Sequence, residues 1–170
     1  MTRDELSKTV TDFMDRFTTM TLACSHEAKP WTAAVYYARQ GFDLVFFSSP
    51  NSLHSTIFAD NPLAAASIYG DYKLWKDIKG LQLEGRVEKI TGARALASAT
   101  STYLKRHPFV KEFLSDPAAI SSEVAGKMSK IAMYAFRPES IFYVNNEAGF
   151  GNRWKLEIKK GRVVSDPIQA

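Results

Sequence analysis

The alternation of apolar and polar positions divides the chain into elements of two periods. Leu6, Val10, Phe13, Met14 and Phe17 recur at helical spacing. They predict an amphipathic helix near the N-terminus. Thr2-Arg3-Asp4-Glu5 precedes it in the form of a capping box, in which the threonine hydroxyl and the glutamate carboxylate satisfy free amides at the helix start. Met20–Ser25 reads as a strand, and His26-Glu27-Ala28-Lys29 as a turn that leaves the histidine exposed. Trp31–Ala38 and Phe42–Phe47 follow as strands on either side of a Gln40-Gly41 turn. Together these strands are expected as an antiparallel meander. Val35-Tyr36-Tyr37 and Val45-Phe46-Phe47 are runs of consecutive large residues. A strand apolar on both faces must be covered on both.

Further along, a helix from Ser52 ends at Asn61-Pro62, because proline cannot continue it. Leu63–Tyr69 is a strand whose alanines let neighbours approach closely, and Gly70–Asp77 is a loop carrying Tyr72 and Trp75. Ile78–Ile90 is a long strand, in which Gly85 marks a bulge or a close backbone approach. Gly92–Arg106 returns to helical spacing, with Leu96, Ala97, Tyr103 and Leu104 inward, and His107-Pro108 breaks it. Short helical pieces are expected at Phe109–Leu114 and Ala118–Met128, then strands at Ile131–Phe136 and Ile141–Val144 separated by Arg137-Pro138. Gly149–Trp154 reads as a flexible loop ending in a cation and an indole. Residues 1–158 form a single domain and 159–170 a C-terminal tail on this reading. Alternating strands and helices of the nucleotide-fold kind are absent. The pattern predicts a mainly β (α+β) protein: a six- to seven-stranded antiparallel barrel with an N-terminal helix and inserted short helices.

Composition narrows the function classes. The 170 residues suit one domain with a real core. Twenty-two basic against 18 acidic residues give a scattered excess of +4. No basic stripe with interleaved aromatics is present, so nucleic acid is not an expected partner. Cys24 is the single cysteine and lies in an apolar strand, which excludes an intramolecular disulfide. Asp4, Glu5, Asp12 and Asp15 exclude a secretory signal in the first residues. No apolar run approaches the roughly 18 residues that read as a membrane span. A cytoplasmic, reducing setting is expected. There is no P-loop, dinucleotide fingerprint or G-x-S-x-G elbow. His26, His54 and His107 are far apart and no zinc-ligand spacing occurs. Without an evident nucleophile–base pair, any catalysis is expected to belong to a bound cofactor.

The stretch Leu44–His54 is the richest in chemistry. A buried strand stops at Ser48-Ser49, turns through Pro50-Asn51, and opens a helix capped by Asn51 or Ser52. A helix start gathers unpaired N–H donors and the positive end of the helix dipole. The serines and the imidazole of His54 add donors, giving a pocket the size of a phosphate. The same residues also serve an ordinary strand–turn–helix junction.

Four runs in order resemble the FMN-binding split barrels related to pyridoxamine 5′-phosphate oxidase: K-P-W-T-A-A-V-Y-Y-A at 29–38, L-V-F-F-S-S-P-N-S-L-H at 44–54, A-D-N-P-L-A-A-A-S-I at 59–68 and K-G-L-Q-L-E-G-R-V-E at 79–88. The closing G-F-G-N-R at 149–153 resembles a small bacterial branch of that superfamily. The resemblance covers Leu6 to Trp154 and implies a split β-barrel homodimer with two FMN sites at the subunit interface. It implies a phosphate at Ser48, Ser49, Ser52 and His54. The strand carrying Ala33, Ala34, Val35 and Tyr36, with Phe47, would line the flavin ring. Gln82 would reach the flavin, and Arg153 and Trp154 would close over it. No catalytic residue and no metal is implied. The oxidase has an arginine–lysine pair where this chain has Leu53-His54, so a compensating cation would come from Arg153, Lys73 or Lys76. The lysine ending its second strand is Ala38 here, and its constellation for the substrate phosphate is missing. Pyridoxamine phosphate oxidation is therefore not implied. The expected function is a flavin-dependent oxidoreductase acting on a small substrate. A haem-handling split barrel and a non-catalytic flavin binder are the alternatives.

Overall fold

The computed structural model describes residues 1–110 and 131–170. The helical pieces expected at 109–114 and 118–128 lie, beyond Val110, outside the described residues. Helix α1 (Arg3–Arg16) starts at the expected capping box: the Thr2 hydroxyl accepts from the Glu5 amide at 3.3 Å and the Thr2 amide donates to the Glu5 carboxylate at 2.7 Å. It buries Leu6, Val10, Phe13 and Met14 against the main core.

Among the described residues, ten strands form an antiparallel sheet: β1 (Thr19–His26), β2 (Lys29–Tyr36), β3 (Ala38–Gln40), β4 (Asp43–Ser48), β5 (Leu63–Tyr69), β6 (Lys79–Lys89), β7 (Ala132–Asn145), β8 (Arg153–Lys159), β9 (Arg162–Val163) and β10 (Ile168–Gln169). The order is β10-β8-β7-β6-β5-β1-β2, with β4 also on β7, β3 on β4 and β9 on β8. The sheet curls into a half-barrel with few helices, which is the α+β split barrel expected. Seven of the strands have six residues or more; β3, β9 and β10 have two or three. The last two of these occupy the stretch read as a tail. Among the described residues, no helix is long and apolar enough to cross a membrane.

The meander did not form as expected. β2 stops at Tyr36 and pairs with β1 alone, while β4 pairs with β3 and β7. The cause is Tyr37. Its ring is fully buried, its hydroxyl donates to the Met14 carbonyl at 2.6 Å, and its amide donates to the Thr18 carbonyl at 3.0 Å. This corner turns the chain out of β2 and opens the split between β2 and β4. Pro30 is tolerated within β2 because that strand ends the sheet.

Arg137-Pro138 does not separate two strands either; β7 runs unbroken through it for 14 residues. The register shifts at Glu84/Gly85, where Gly85 faces Pro138. A Cβ on Gly85 would stand 2.1 Å from the Arg137 carbonyl oxygen. The glycine thus supplies both the bulge and the close approach read from sequence, and the bulge accommodates the proline.

Helices α2 (Leu53–Asp60) and α3 (Ala93–Arg106) follow β4 and β6. In α3, Ala99 and Tyr103 are buried, but Leu96 and Ala97 are exposed and Leu104 is only half-buried. Tyr103 thus faces inward as expected, but Ala99 rather than Leu96, Ala97 or Leu104 completes the buried face. Ala99 and Tyr103 join Ala38, Val45, Met133 and Ala135 in a second cluster, where an alanine lets the helix lie close to the sheet. Cys24 is buried in β1, and burial pushes its thiol pKa up.

Candidate functional site

The end of β4 and the start of α2 bring Ser48, Ser52 and His54 together. Ser52 is the N-cap: its hydroxyl accepts from the Ser55 amide at 3.4 Å, and its own amide donates to the Ser49 carbonyl at 3.0 Å. That turn aims Ser48, Ser52 and His54 at one another. His54 Nε2 lies 2.7 Å from Ser48 Oγ and 3.1 Å from Ser52 Oγ. Ser55, which the sequence reading left out, completes the group. Its Oγ lies 2.8 Å from Ser52 Oγ and 3.3 Å from Ser48 Oγ, and the residue is buried. Its spacing three residues after the N-cap was the available signal.

A hydroxyl carries one proton. The Ser52 proton goes to the Ser49 carbonyl at 2.9 Å, an oxygen that can only accept, so Ser52 Oγ is an acceptor toward its other neighbours. Burial holds the His54 pKa below its ordinary value, so the ring is neutral near pH 7. Ser49 has a different task. Its hydroxyl accepts from the Asn51 amide at 3.3 Å and shapes the turn.

The remaining predicted residues lie elsewhere. Ala34 and Tyr36 of β2 are exposed, while Ala33 and Val35 face the other way and Val35 packs on the core. The Tyr36 ring stands edge-on to His107, whose Nε2 donates to the Tyr37 carbonyl at 2.8 Å. Phe47 turns from the serine cluster to α3, with its ring 4.9 Å from that of Tyr103. Gln82 is exposed, and with Arg153 it lines a shallow recess walled by Thr21, Thr32, Ser67 and Phe142. Arg153 and Trp154 do not sit on a loop. They open β8, and successive strand residues point to opposite faces. Arg153 borders the recess while Trp154 packs against the main core. Within one chain, then, the structure gathers two groups: the serine–histidine cluster and the Gln82–Arg153 recess.

The donor set of the cluster fits a phosphomonoester. Three hydroxyls, one imidazole and the free first-turn amides of α2 converge there. A phosphoryl group entering it must replace bonds the hydroxyls now make with one another.

Residues 6–145 match the family model described as pyridoxamine 5′-phosphate oxidase. The chain belongs to the pyridoxamine 5′-phosphate oxidase family. A UPF0306 protein of Pasteurella multocida is 27% identical over 95 residues, covering 53% of this chain and 62% of the relative. Among solved structures, a haem-binding protein from Mycobacterium smegmatis superposes with a TM-score of 0.64 at 20% identity, over 89% of this chain and 56% of that one. This chain therefore spans less than two thirds of either protein. A FAD-binding protein from Mesorhizobium loti gives a TM-score of 0.59 at 15% identity, over 79% and 89% of the two chains. At these identities the superpositions establish the fold.

Proposed function

We propose that this family member binds FMN as a homodimer and acts as a flavin-dependent oxidoreductase on a small substrate. The observation that carries the reading is the convergence of Ser48, Ser52, Ser55 and His54 at the start of α2. Those groups hold the cofactor's phosphate. The exposed face of β2, with Ala34 and Tyr36, offers surface and backbone to the ring. Gln82 and Arg153 lie apart from the cluster on the recess of the open face, so a second copy brings its own pair to the first copy's phosphate site. When bound, FMN would supply the hydride- or electron-transfer chemistry between a donor and the substrate. The chain's residues fix its orientation and shield it from water. The FAD-binding neighbour supports a flavin; the haem-binding neighbour supports a different ligand. Two of the three histidines already use Nε2 on protein partners, His54 on serines and His107 on a carbonyl. That leaves little for an axial ligand.

The test is the visible spectrum of the purified protein before and after FMN is added. Flavin bands that shift on binding, and bleach with a nicotinamide donor, are expected. Binding without reduction would reduce the role to that of a flavin carrier. A Soret band on haem addition with no FMN binding would overturn the proposal.

A further inference from the structure

Gly149-Phe150-Gly151 puts an aromatic ring where neither the core nor the anion cluster uses it. Phe150 is 84% exposed. The glycines on either side have φ of +137° and +73°, conformations that residues with side chains rarely adopt. The backbone thus holds the ring out in water. Trp75, 62% exposed on the loop between β5 and β6, stands edge-on to it with ring centroids 5.5 Å apart. The two loops are tied down beneath the rings. Asn146 donates through Nδ2 to the Trp75 carbonyl at 2.8 Å and through its amide to the Ile78 carbonyl at 3.0 Å. Its Oδ1 accepts from the Gly151 amide at 3.3 Å, and Lys79 pairs with Glu147 at 2.6 Å. An exposed ring on a fixed backbone loses little freedom when a ligand covers it. Two such rings in contact offer a surface to another flat ring.

The pair stands at one end of the open sheet face. Tyr69, Gly80, Val144 and Arg153 lie opposite one another across β5, β6, β7 and β8. Exposed Tyr69 and half-buried Arg153 therefore share the last row of that face. Tyr69 leads into the loop of Trp75, and Arg153 follows Phe150 by three residues, no more than about 11 Å of chain. Wherever Arg153 goes, the aromatic pair goes with it. We propose that the second copy, in bringing Gln82 and Arg153 to the first copy's cofactor site, also brings Tyr69, Trp75 and Phe150 as an aromatic wall, and that the small substrate is a flat aromatic molecule packed against it. The inference rests on the FMN dimer reading above and adds to it the class of substrate. The wall selects by ring geometry: a flat ring meets Trp75 and Phe150 edge-on or offset, and a saturated molecule of similar polarity has no π face to offer.

The experiment is calorimetric titration of the FMN-loaded protein, with no reductant present, with menadione and with cyclohexanedione as the saturated control. Wild type is expected to bind menadione about tenfold more tightly than the control. Trp75→Ala and Phe150→Ala are each expected to weaken menadione binding about tenfold, while the FMN dissociation constant, read by flavin fluorescence, stays at the wild-type value. Phe150→Tyr keeps the ring and is expected to bind menadione as wild type does. Circular dichroism of each variant checks its fold. Menadione binding that survives both alanine substitutions, or that shows no preference over cyclohexanedione, overturns the aromatic wall and leaves the flavin reading standing. Loss of FMN from folded Phe150→Ala also overturns it, by placing the ring on the cofactor. No FMN binding by wild type overturns both readings.

Discussion

At the scale of single residues, two imidazoles withdrawn from water set how the free protein responds to acid. Burial lowers the pKa of His54, and burial is also the leading cause at His107, aided by nearby Arg106 and opposed by the bond to the Tyr37 carbonyl. A folded-state pKa below the unfolded value of about 6.5 means that the unfolded chain binds more protons in between. Stability from these two groups is fully present above that value and is lost as pH falls toward their folded pKa values. The midpoint of thermal unfolding should drop from pH 7.5 to pH 5, and His107→Gln, which retains a donor for Tyr37, should flatten the drop. Removing the His54 ring with His54→Ala should weaken FMN binding by about tenfold or more, the loss of one hydrogen bond to a charged group; fluorescence titration reads this. Ser48, Ser52 and His54 were legible because an N-cap and its flanking positions converge by local geometry. Phe47 and Trp154 were not, since which face of a strand meets a helix or the core is decided by distant elements.

At the scale of elements, the β6–β7 crossing is the most exacting. Nothing larger than a hydrogen fits at Gly85 without moving the Arg137–Pro138 backbone. Gly85→Ala should cost about 3 kcal/mol in chemical denaturation, the upper range for overpacking. Thr2→Ala, which removes the α1 cap, should cost only about 1 kcal/mol. The two glycine and capping features were readable because each has a local signature in the chain. The break between β2 and β3 has none. No glycine or proline lies near Tyr37, and the corner is held by a bond to Met14, 23 residues earlier. The inward face of α3 was misread in part, for a related reason. Its helical spacing offers two apolar stripes, and the small alanine rather than the larger leucine meets the sheet.

At the scale of the whole molecule, one broad side of the sheet is left uncovered by the described residues. Thr21, Ala23, Thr32, Ala34, Ala65 and Ser67 present small side chains there, bordered by exposed Tyr36 and Tyr69. An open apolar and aromatic surface of this kind marks an interaction site. It is where the proposed dimer would close, joining one copy's serine cluster to the other copy's Gln82 and Arg153. Ala65→Lys should therefore yield a folded monomer by sedimentation velocity and weaken FMN binding together with dimerisation. A dimer that persists in the variant would move the interface elsewhere.

The Tyr37 corner reaches beyond the shape of the barrel. Because its hydroxyl holds the last turn of α1 and its amide holds the segment just after that turn, the first helix cannot lift away while the split edge stays intact. Deuterium should enter the inner amides of that helix only when the entire domain opens, at the same slow rate as the central strands. Replacing the tyrosine by phenylalanine should let the leading segment breathe on its own, and mass spectrometry of its peptides would register the faster labelling.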